Sequence, residues 1–203
     1  MFTGIVEGTG LVETIIPAAA SIQLALRAGH CARTLKIGDS LAVNGCCLTV
    51  ATVRKHRRET LLEFDLLTET WRRTNLQFAR RGSVVNLERP LRAGSPIGGH
   101  FVAGHIDALG KVIRWAAVGV DHSLEIGAPS SILRYIVRKG SIAVDGISLT
   151  VDAVGAKSFR VWIIPQTLKV TALRERQAGD AVNLETDMLG KFVERFVTAR
   201  SGK

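Results

Sequence analysis

The stretch VNGCCLTV (Val43–Val50) returns later in the chain as VDGISLTV (Val144–Val151), an echo that points to a duplicated chain. A second block repeats in the same order: TWRRTNL and GSVVNLE within Thr70–Glu88 are answered by TLKVTAL and GDAVNLE within Thr167–Glu185. A third echo links Gly4, Glu7, Gly10 and Val12 to Gly104, Asp107, Gly110 and Val112. Three collinear blocks at a nearly constant offset predict a duplicated unit of about 95 residues. The 203 residues therefore divide into a first copy over 1–97, a second over 98–187 and a tail over 188–203.

Within each copy, short β-rich runs alternate with turn signals. Ser21–Leu26, Ser40–Val43, Cys47–Val53 and Thr60–Leu67 read as strands of the first copy, interrupted by Gly38-Asp39, Asn44-Gly45 and the charged stretch Arg54–Arg58. Leu124–Ile126, Ile142–Val144, Ser148–Val154 and Phe159–Ile164 read as their counterparts. Asn44-Gly45 and Asp145-Gly146 are hairpin signals, because a two-residue type I′ turn needs positive φ at both central positions. Short helices are expected at Ser130–Arg138 and around Thr167–Leu173. About six short strands per copy favour a small closed barrel, since closure removes exposed edges. The fold class is all-β, two tandem six-stranded barrels.

The tail differs. Asp187 can cap a helix from Met188 to about Arg200, with Leu189, Phe192, Val193, Phe196 and Val197 on one apolar stripe. The stripe can pack on its own barrel or pair with copies from other subunits. The first copy ends instead in a linker, Arg89-Pro90 leading to Gly94, Pro96, Gly98 and Gly99.

Composition sets the outer limits. Hydrophobic residues make up 46% and charged residues 22%, which excludes a disordered chain. Net charge is +9, which raises nucleic acid as a partner. The basic residues are spread out, however, and aromatics are too few to interleave with them as a stacking platform. No apolar run approaches the roughly 18–20 residues of a membrane span, and MFTGIVEGTG lacks the marks of a secretory signal. A soluble, cytoplasmic protein is expected, with no membrane and no nucleic acid as partner. Three cysteines, Cys31 and the adjacent Cys46 and Cys47, fit a reducing compartment.

Chemistry concentrates at the junction. Gly98–His105 holds two of the five histidines among three glycines, suited to proton transfer close to a ligand. A metal site fits poorly: His100 and His105 share neither a helix face nor a strand face, and Cys46-Cys47 lacks the spacing of a C-x-x-C pair. Neighbours on a strand point to opposite faces, so Cys46 should match Ile147 in the core and Cys47 should share the surroundings of Ser148. Ser40 and Asp187 also have local uses, as a turn serine and a helix cap.

MFTGIVE, NGCCLTV, GGHFVAGHID, DGISLTV, IIPQTLKVTAL and VNLETD, in this order over essentially the whole chain, resemble the riboflavin synthase family of the alpha chain type. The resemblance implies two Greek-key barrels of flavin-reductase type and a C-terminal helix that joins subunits into a homotrimer. It implies a dismutation of two 6,7-dimethyl-8-ribityllumazine molecules to riboflavin and 5-amino-6-ribitylaminouracil, with no cofactor and no metal, and association with lumazine synthase as a further partner. In the family each barrel binds one lumazine, and a productive pair forms between barrels of neighbouring subunits. Carried over by position, one pocket uses Gly4, Ile5 and Val6, then Cys47, Leu48 and Thr49, then Asp65, Leu66, Leu67, Thr68, Glu69 and Thr70. The other uses Gly104, His105 and Ile106, then Lys139, then Ser148, Leu149 and Thr150, then Ile164, Pro165, Gln166, Thr167, Leu168 and Lys169. Ser40, Cys47, His100, His105 and Asp187 are similar to residues implicated in catalysis: a histidine would help take a proton from the C7 methyl of one lumazine, and Ser40 and Cys47 would help add or position a nucleophile at C7 of the other. Trp71 and Gln166 depart from the family pattern, which often has Leu and an acidic residue there. The rival readings are a non-catalytic lumazine or flavin carrier of the same fold, and a basic nucleic-acid-binding barrel.

Overall fold

Two antiparallel sheets, one per repeat, account for the strands of the computed structural model, which describes residues 1–18, 21–56 and 59–201. The first repeat carries β1 (Gly8–Pro17), β2 (Ser21–Ala28), β3 (Ser40–Val43), β4 (Cys46–Thr49), β5 (Thr52–His56), β6 (Glu59–Leu67), helix α1 (Thr68–Arg73) and β7 (Val84–Glu88). The second carries β8 (Ala108–Val118), β9 (Asp121–Gly127), helix α2 (Ser130–Leu133), β10 (Ser141–Val144), β11 (Ile147–Val154), β12 (Ser158–Ile163), helix α3 (Pro165–Val170) and β13 (Ala181–Thr186), followed by helix α4 (Met188–Ser201). No described helix is long and apolar enough to cross a membrane.

The second repeat is a closed barrel in the order β10-β11-β12-β9-β8-β13. The first has the same order, β4-β3-β7-β1-β2-β6-β5, with one difference: the strand expected as Cys47–Val53 is split into β4 and β5. The break has a hydrogen-bonding cause. Val50 N–H donates to Asp39 O at 2.9 Å and Ala51 N–H to Glu63 O at 2.8 Å, so the chain changes partner strand there. In β11 the same corner is absorbed by a register shift between Val151 and Ala153, and the strand stays whole. The all-β, two-barrel architecture expected from the repeats is thus present, one barrel closed by a continuous ladder and the other by a bent chain.

Alternation drives the strands. In β6 Leu62, Phe64 and Leu66 point inward, and in β12 Phe159, Val161 and Ile163 do the same. Each barrel has its own apolar core, centred on Leu24, Leu26, Leu62 and Leu87 in one and on Leu124, Ile126, Phe159 and Leu184 in the other. Several sequence expectations shift at their edges. The helix expected over Ser130–Arg138 ends at Leu133 and continues only as tight turns, Tyr135 N–H to Ile132 O and Ile136 N–H to Leu133 O. That expected over Thr167–Leu173 starts at Pro165, stops where Thr171 becomes extended, and resumes as a 3-10 turn at Ala172–Glu175. Arg54, Lys55 and His56 lengthen β5 rather than break it, while Arg57 and Arg58 lie outside the described residues, as do the last two residues of the tail.

The barrels meet turn to turn. Asn44-Gly45 and Asp145-Gly146 have the positive φ angles expected of their hairpins, and a Cβ on either glycine would lie within 2.7 Å of the other's main chain. Around this contact the repeats exchange hydrogen bonds reciprocally. Asn86 Nδ2 donates to Asp145 O at 2.9 Å, and Asn183 Nδ2 to Asn44 O at 2.8 Å. Ala172 N–H donates to Asn86 Oδ1 at 2.6 Å, and Asn75 N–H to Asn183 Oδ1 at 2.7 Å. Phe2, Ala42, Val102 and Ala143 add a small buried apolar cluster, and Phe2 and Val102 pair as an antiparallel bridge.

Helix α4 docks by its polar side. Glu194 accepts from Tyr135 Oη and pairs with Arg134, and Lys191 Nζ lies 2.6 Å from Asp107. The stripe of Leu189, Phe192, Val193, Phe196 and Val197 is more than half exposed at every position, so it does not pack on its own barrel.

Candidate active site

The outer face of β4 presents Cys47 and Thr49, because Cys46 and Leu48 turn into the core. β11 repeats the pattern, with Ile147 and Leu149 buried and Ser148 and Thr150 facing out. Burial pushes the Cys46 thiol up to about 12, so it stays protonated and inert, while Cys47 is half-buried. Leu48 and Leu149 can offer a ligand only their main chain. Ser40 sits directly across the ladder from Thr49, on the Cys47 side.

Each outward face is completed by a turn from the other repeat. Cys47 N–H donates to Gly104 O at 2.9 Å, and Ser148 N–H donates to Gly4 O at 2.8 Å. Both glycines have positive φ, and a Cβ on Gly4 or Gly104 would lie 2.6 Å from the Cβ of Ser148 or Cys47 respectively, so only glycine fits. Val6 packs against the second barrel's core and Ile106 against the first's. This corrects the grouping carried over from the family pattern: Gly4, Ile5 and Val6 belong with Ser148, and Gly104, His105 and Ile106 belong with Cys47. The sequence places each turn beside its own repeat, and chain order alone does not reveal an exchange.

The exchange divides the histidines between the two faces. His105 is exposed beside Gly104, on the Cys47 face. His100 Nδ1 lies 2.7 Å from Ser148 Oγ on the other face, and His100 Nε2 is buried with no hydrogen-bond partner among the described residues. Burial holds the His100 pKa below the usual imidazole range, with the Asp187 charge opposing, so the ring is kept neutral and able to trade a proton with the serine. Asp187 also accepts from Leu189 N–H at 3.0 Å, capping α4 as its position predicts. Lys139, expected in the second pocket, donates its N–H to Val151 O at 2.8 Å and holds φ at 68°, where the first repeat has Gly38 at 88°.

The remaining expected residues run from β6 into α1 and from β12 into α3. Asp65, Leu67 and Glu69 are exposed, Thr68 and Thr70 half-buried, and Leu66 faces the core. Ile164, Pro165, Gln166 and Lys169 are exposed, while Thr167 and Leu168 are half-buried, Leu168 against the second core. Trp71 packs against the first core. A cavity of about 530 Å³ lies between the segments around Arg80 and Arg176, and one of about 330 Å³ lies beneath the linker beside Thr3 and Ile5. Neither is lined by Cys47, Ser148, His100 or His105. Thr49 and His105 on one face and Thr150 on the other are exposed within a single chain, and Cys47 and Ser148 are half-buried.

Two residues escape the sequence reading: Glu88 and Glu185, the last members of the repeated Val-Asn-Leu-Glu block. Glu88 accepts from Thr3 N–H at 2.7 Å, Thr3 Oγ1 at 2.9 Å and Gly4 N–H at 3.1 Å. Glu185 accepts from Ala103 N–H at 2.6 Å and from Gly104 and His105 N–H at 3.0 Å each. Burial raises the pKa of both carboxyls, opposed by these same hydrogen bonds. The repeated block was the available signal.

A lumazine binding domain family model matches residues 3–90 and again 103–187. Riboflavin synthase of Mycobacterium tuberculosis (strain ATCC 25618 / H37Rv) is 44% identical over 203 residues, covering 97% of this chain and 98% of that protein. Riboflavin synthase of Bacillus subtilis (strain 168) is 36% identical over 197 residues, covering 97% and 90%. Among solved structures, LumP complexed with riboflavin superposes with a TM-score of 0.82 at 24% identity, over 92% of this chain and 99% of that one. Duplicated barrels, reciprocal glycine turns and two matched faces accompany these similarities, and the chain belongs to the lumazine binding domain family, with two copies of that domain in tandem.

Proposed function

We propose that the protein is a riboflavin synthase, converting two molecules of 6,7-dimethyl-8-ribityllumazine into riboflavin and 5-amino-6-ribitylaminouracil by transfer of a four-carbon unit. The atoms of two lumazines equal those of the two products, so the step needs no oxidant or reductant. The observation that carries this reading is the pair of matched open faces whose polar side chains differ: Cys47 with His105 on one, Ser148 with His100 on the other. A reaction that uses one compound as both donor and acceptor needs two related pockets that treat it differently.

On the Cys47 face, His105 takes a proton from the C7 methyl or Cys47 and Ser40 place a nucleophile at C7. On the Ser148 face, His100 acts through the serine hydroxyl, since its Nε2 is enclosed. Holding two rings face to face supplies much of the barrier reduction as proximity. Thr49, Thr150, Lys139 and the segments Asp65–Thr70 and Ile164–Lys169 hold the ring edge and ribityl chain.

A homotrimer assembled through the exposed stripe of α4 would bring a Cys47 face of one subunit to a Ser148 face of the next, enclosing faces that are open in one chain. The repeats then act as lumazine-binding units over 1–97 and 98–187, each lending its first turn to the other, with 188–203 as the assembly element. A cytoplasmic location and association with lumazine synthase belong to the same family-based proposal.

Incubation with the dimethylribityllumazine alone tests the activity: riboflavin absorbance should appear with an equal amount of the pyrimidine. Tight binding without conversion would instead identify a carrier. Deletion of 188–203 should lower the gel-filtration mass from trimer to monomer and abolish turnover; an unchanged mass would remove the helix from assembly.

A further inference from the structure

We infer that Glu88 and Glu185 are positioning residues, each using a buried carboxylate at the end of one barrel's last strand to hold the turn that completes the opposite barrel's substrate face. The repeated Asn-Leu-Glu shows a division of labour along one strand. Leu87 and Leu184 are fully buried in the two cores, on the face opposite their neighbours. Asn86 and Asn183 bind across the barrel junction. Glu88 and Glu185, two residues on and on that same face, collect three donors each from Thr3–Gly4 and from Ala103–His105.

The hold is acceptor-only. Both oxygens of each carboxylate face N–H or O–H donors, a pattern an ionised carboxylate satisfies and an amide does not, because its NH₂ would meet a donor on either side. What Glu185 fixes is Gly104, whose carbonyl accepts from Cys47 and whose Cα leaves no room for a side chain beside it, together with His105. What Glu88 fixes is Gly4, the corresponding contact on Ser148. A carboxylate of the second repeat thus governs the face built on the first, and the reverse.

The far ends of the two turns are anchored differently. Glu7 is gripped by Arg89, with Nε at 2.6 Å. Asp107 accepts from Thr186 N–H at 2.8 Å and meets Lys191 of α4 at 2.6 Å. The turn carrying His105 is thereby tied to the terminal helix, whereas the turn carrying Ile5 is tied to the linker side through Arg89.

Cys47 supplies a readout that needs no substrate, because Cys31 and Cys46 are buried. In Glu185→Gln the alkylation rate of Cys47 should rise about tenfold or more, the opening expected when the turn loses part of its hydrogen-bonded hold, with Cys31 and Cys46 still protected. In Glu88→Gln it should stay within about twofold of the parent. An equal rise in both variants, or a rise only in Glu88→Gln, overturns the crossed assignment. If Glu185→Gln exposes all three cysteines, Glu185→Asp is read instead by amide exchange, which should accelerate at Gly104 and His105 and not at Gly4; the opposite pattern overturns it. The catalytic consequence rests on the riboflavin synthase reading: lumazine should protect Cys47 from alkylation in the parent and in Glu88→Gln but not in Glu185→Gln. Crossed alkylation without protection in the parent would leave the positioning role standing and count against lumazine at this face.

Discussion

The Cys47 face and the Ser148 face share a backbone plan and differ in chemistry. Both present a strand after an I′ hairpin, both are closed by a positive-φ glycine from the other repeat, and both glycines are held by a buried carboxylate. One has a thiol and an exposed imidazole; the other has a hydroxyl, an enclosed imidazole from the linker and Ile5 where its counterpart has His105. Duplication supplies two faces of one backbone shape, and a few side chains suffice to give them different chemistry; on the proposed reading that difference separates a donor pocket from an acceptor pocket. The supporting structure is less equal: Asn44 of the first hairpin is neutral, whereas Asp145 of the second is fully buried and paired with Arg176.

Removing that last difference should have the largest effect. Asp145 accepts from Asn75 Nδ2 and Asn183 N–H at 2.8 Å each, and from Arg176 Nε and a terminal nitrogen at 3.0 and 2.9 Å. Asp145→Asn copies the first repeat but leaves the guanidinium without its counter-charge. Breaking a buried pair from one side costs roughly 3–5 kcal/mol, and urea unfolding should show a loss of that order. A loss below about 1 kcal/mol would mean that Arg176 swings into water.

The catalytic difference can be broken more gently. Because the C7 methyl is already acidified by the ring, His105→Ala should slow turnover by about ten- to hundredfold, less than the roughly 10²–10⁴ of a fully engaged general base. Complete loss with binding and fold intact would count against positioning as the main contribution. On the other face His100 and Ser148 form one unit, so His100→Gln with Ser148→Ala should cost no more than the worse single change. Strict additivity in kcat/KM would show that they act separately.

The enclosed His100 also predicts a pH signature. Its folded pKa is depressed by burial, so the unfolded chain binds more protons in the window between that depressed value and the ordinary imidazole value near 6.5. The contribution to stability is complete above that upper limit and is lost as pH falls through the folded pKa. Melting curves between pH 5 and 8 should show this group adding up to about 1.4 kcal/mol per pH unit within the window. The added slope should vanish in His100→Gln; persistence there would assign it to another group.

What could be read from the sequence follows from where the determining contacts lie. Hairpins, alternation and the terminal stripe are local, so Asn44-Gly45, Leu62-Phe64-Leu66 and Phe192-Phe196 announced themselves. The same locality exposed Cys47 rather than Cys46, since strand geometry separates neighbours. The exchange of turns was hidden because Gly4 meets Ser148 and Gly104 meets Cys47 only after the barrels dock. Glu88 and Glu185 were hidden for a related reason: in a strand ending at the surface a glutamate reads as solvated, and only the arriving N–H groups make it an internal anchor. The broken β4–β5 strand depends on competing carbonyls at Asp39 and Glu63, which composition does not rank.

The smallest predicted effect concerns the left-handed residue of each repeat. Gly38 adopts φ of 88° without strain, but Lys139 at 68° places a Cβ where L-residues pay roughly 1–2 kcal/mol. Lys139→Gly should therefore stabilise the second barrel by about 0.5–1 kcal/mol after the added flexibility of the unfolded chain is subtracted. Gly38→Lys should destabilise the first by about 1 kcal/mol. Lys139 stands two residues before β10, which pairs with the Ser148 strand through Ala143, and the proposed function gives its ammonium a role on that face. Lys139→Gly should accordingly melt higher while raising KM for lumazine, whereas Gly38→Lys should melt lower. A Lys139→Gly protein that is more stable and kinetically unchanged would show that the strain serves no ligand, and the two repeats would then differ at this position without functional consequence.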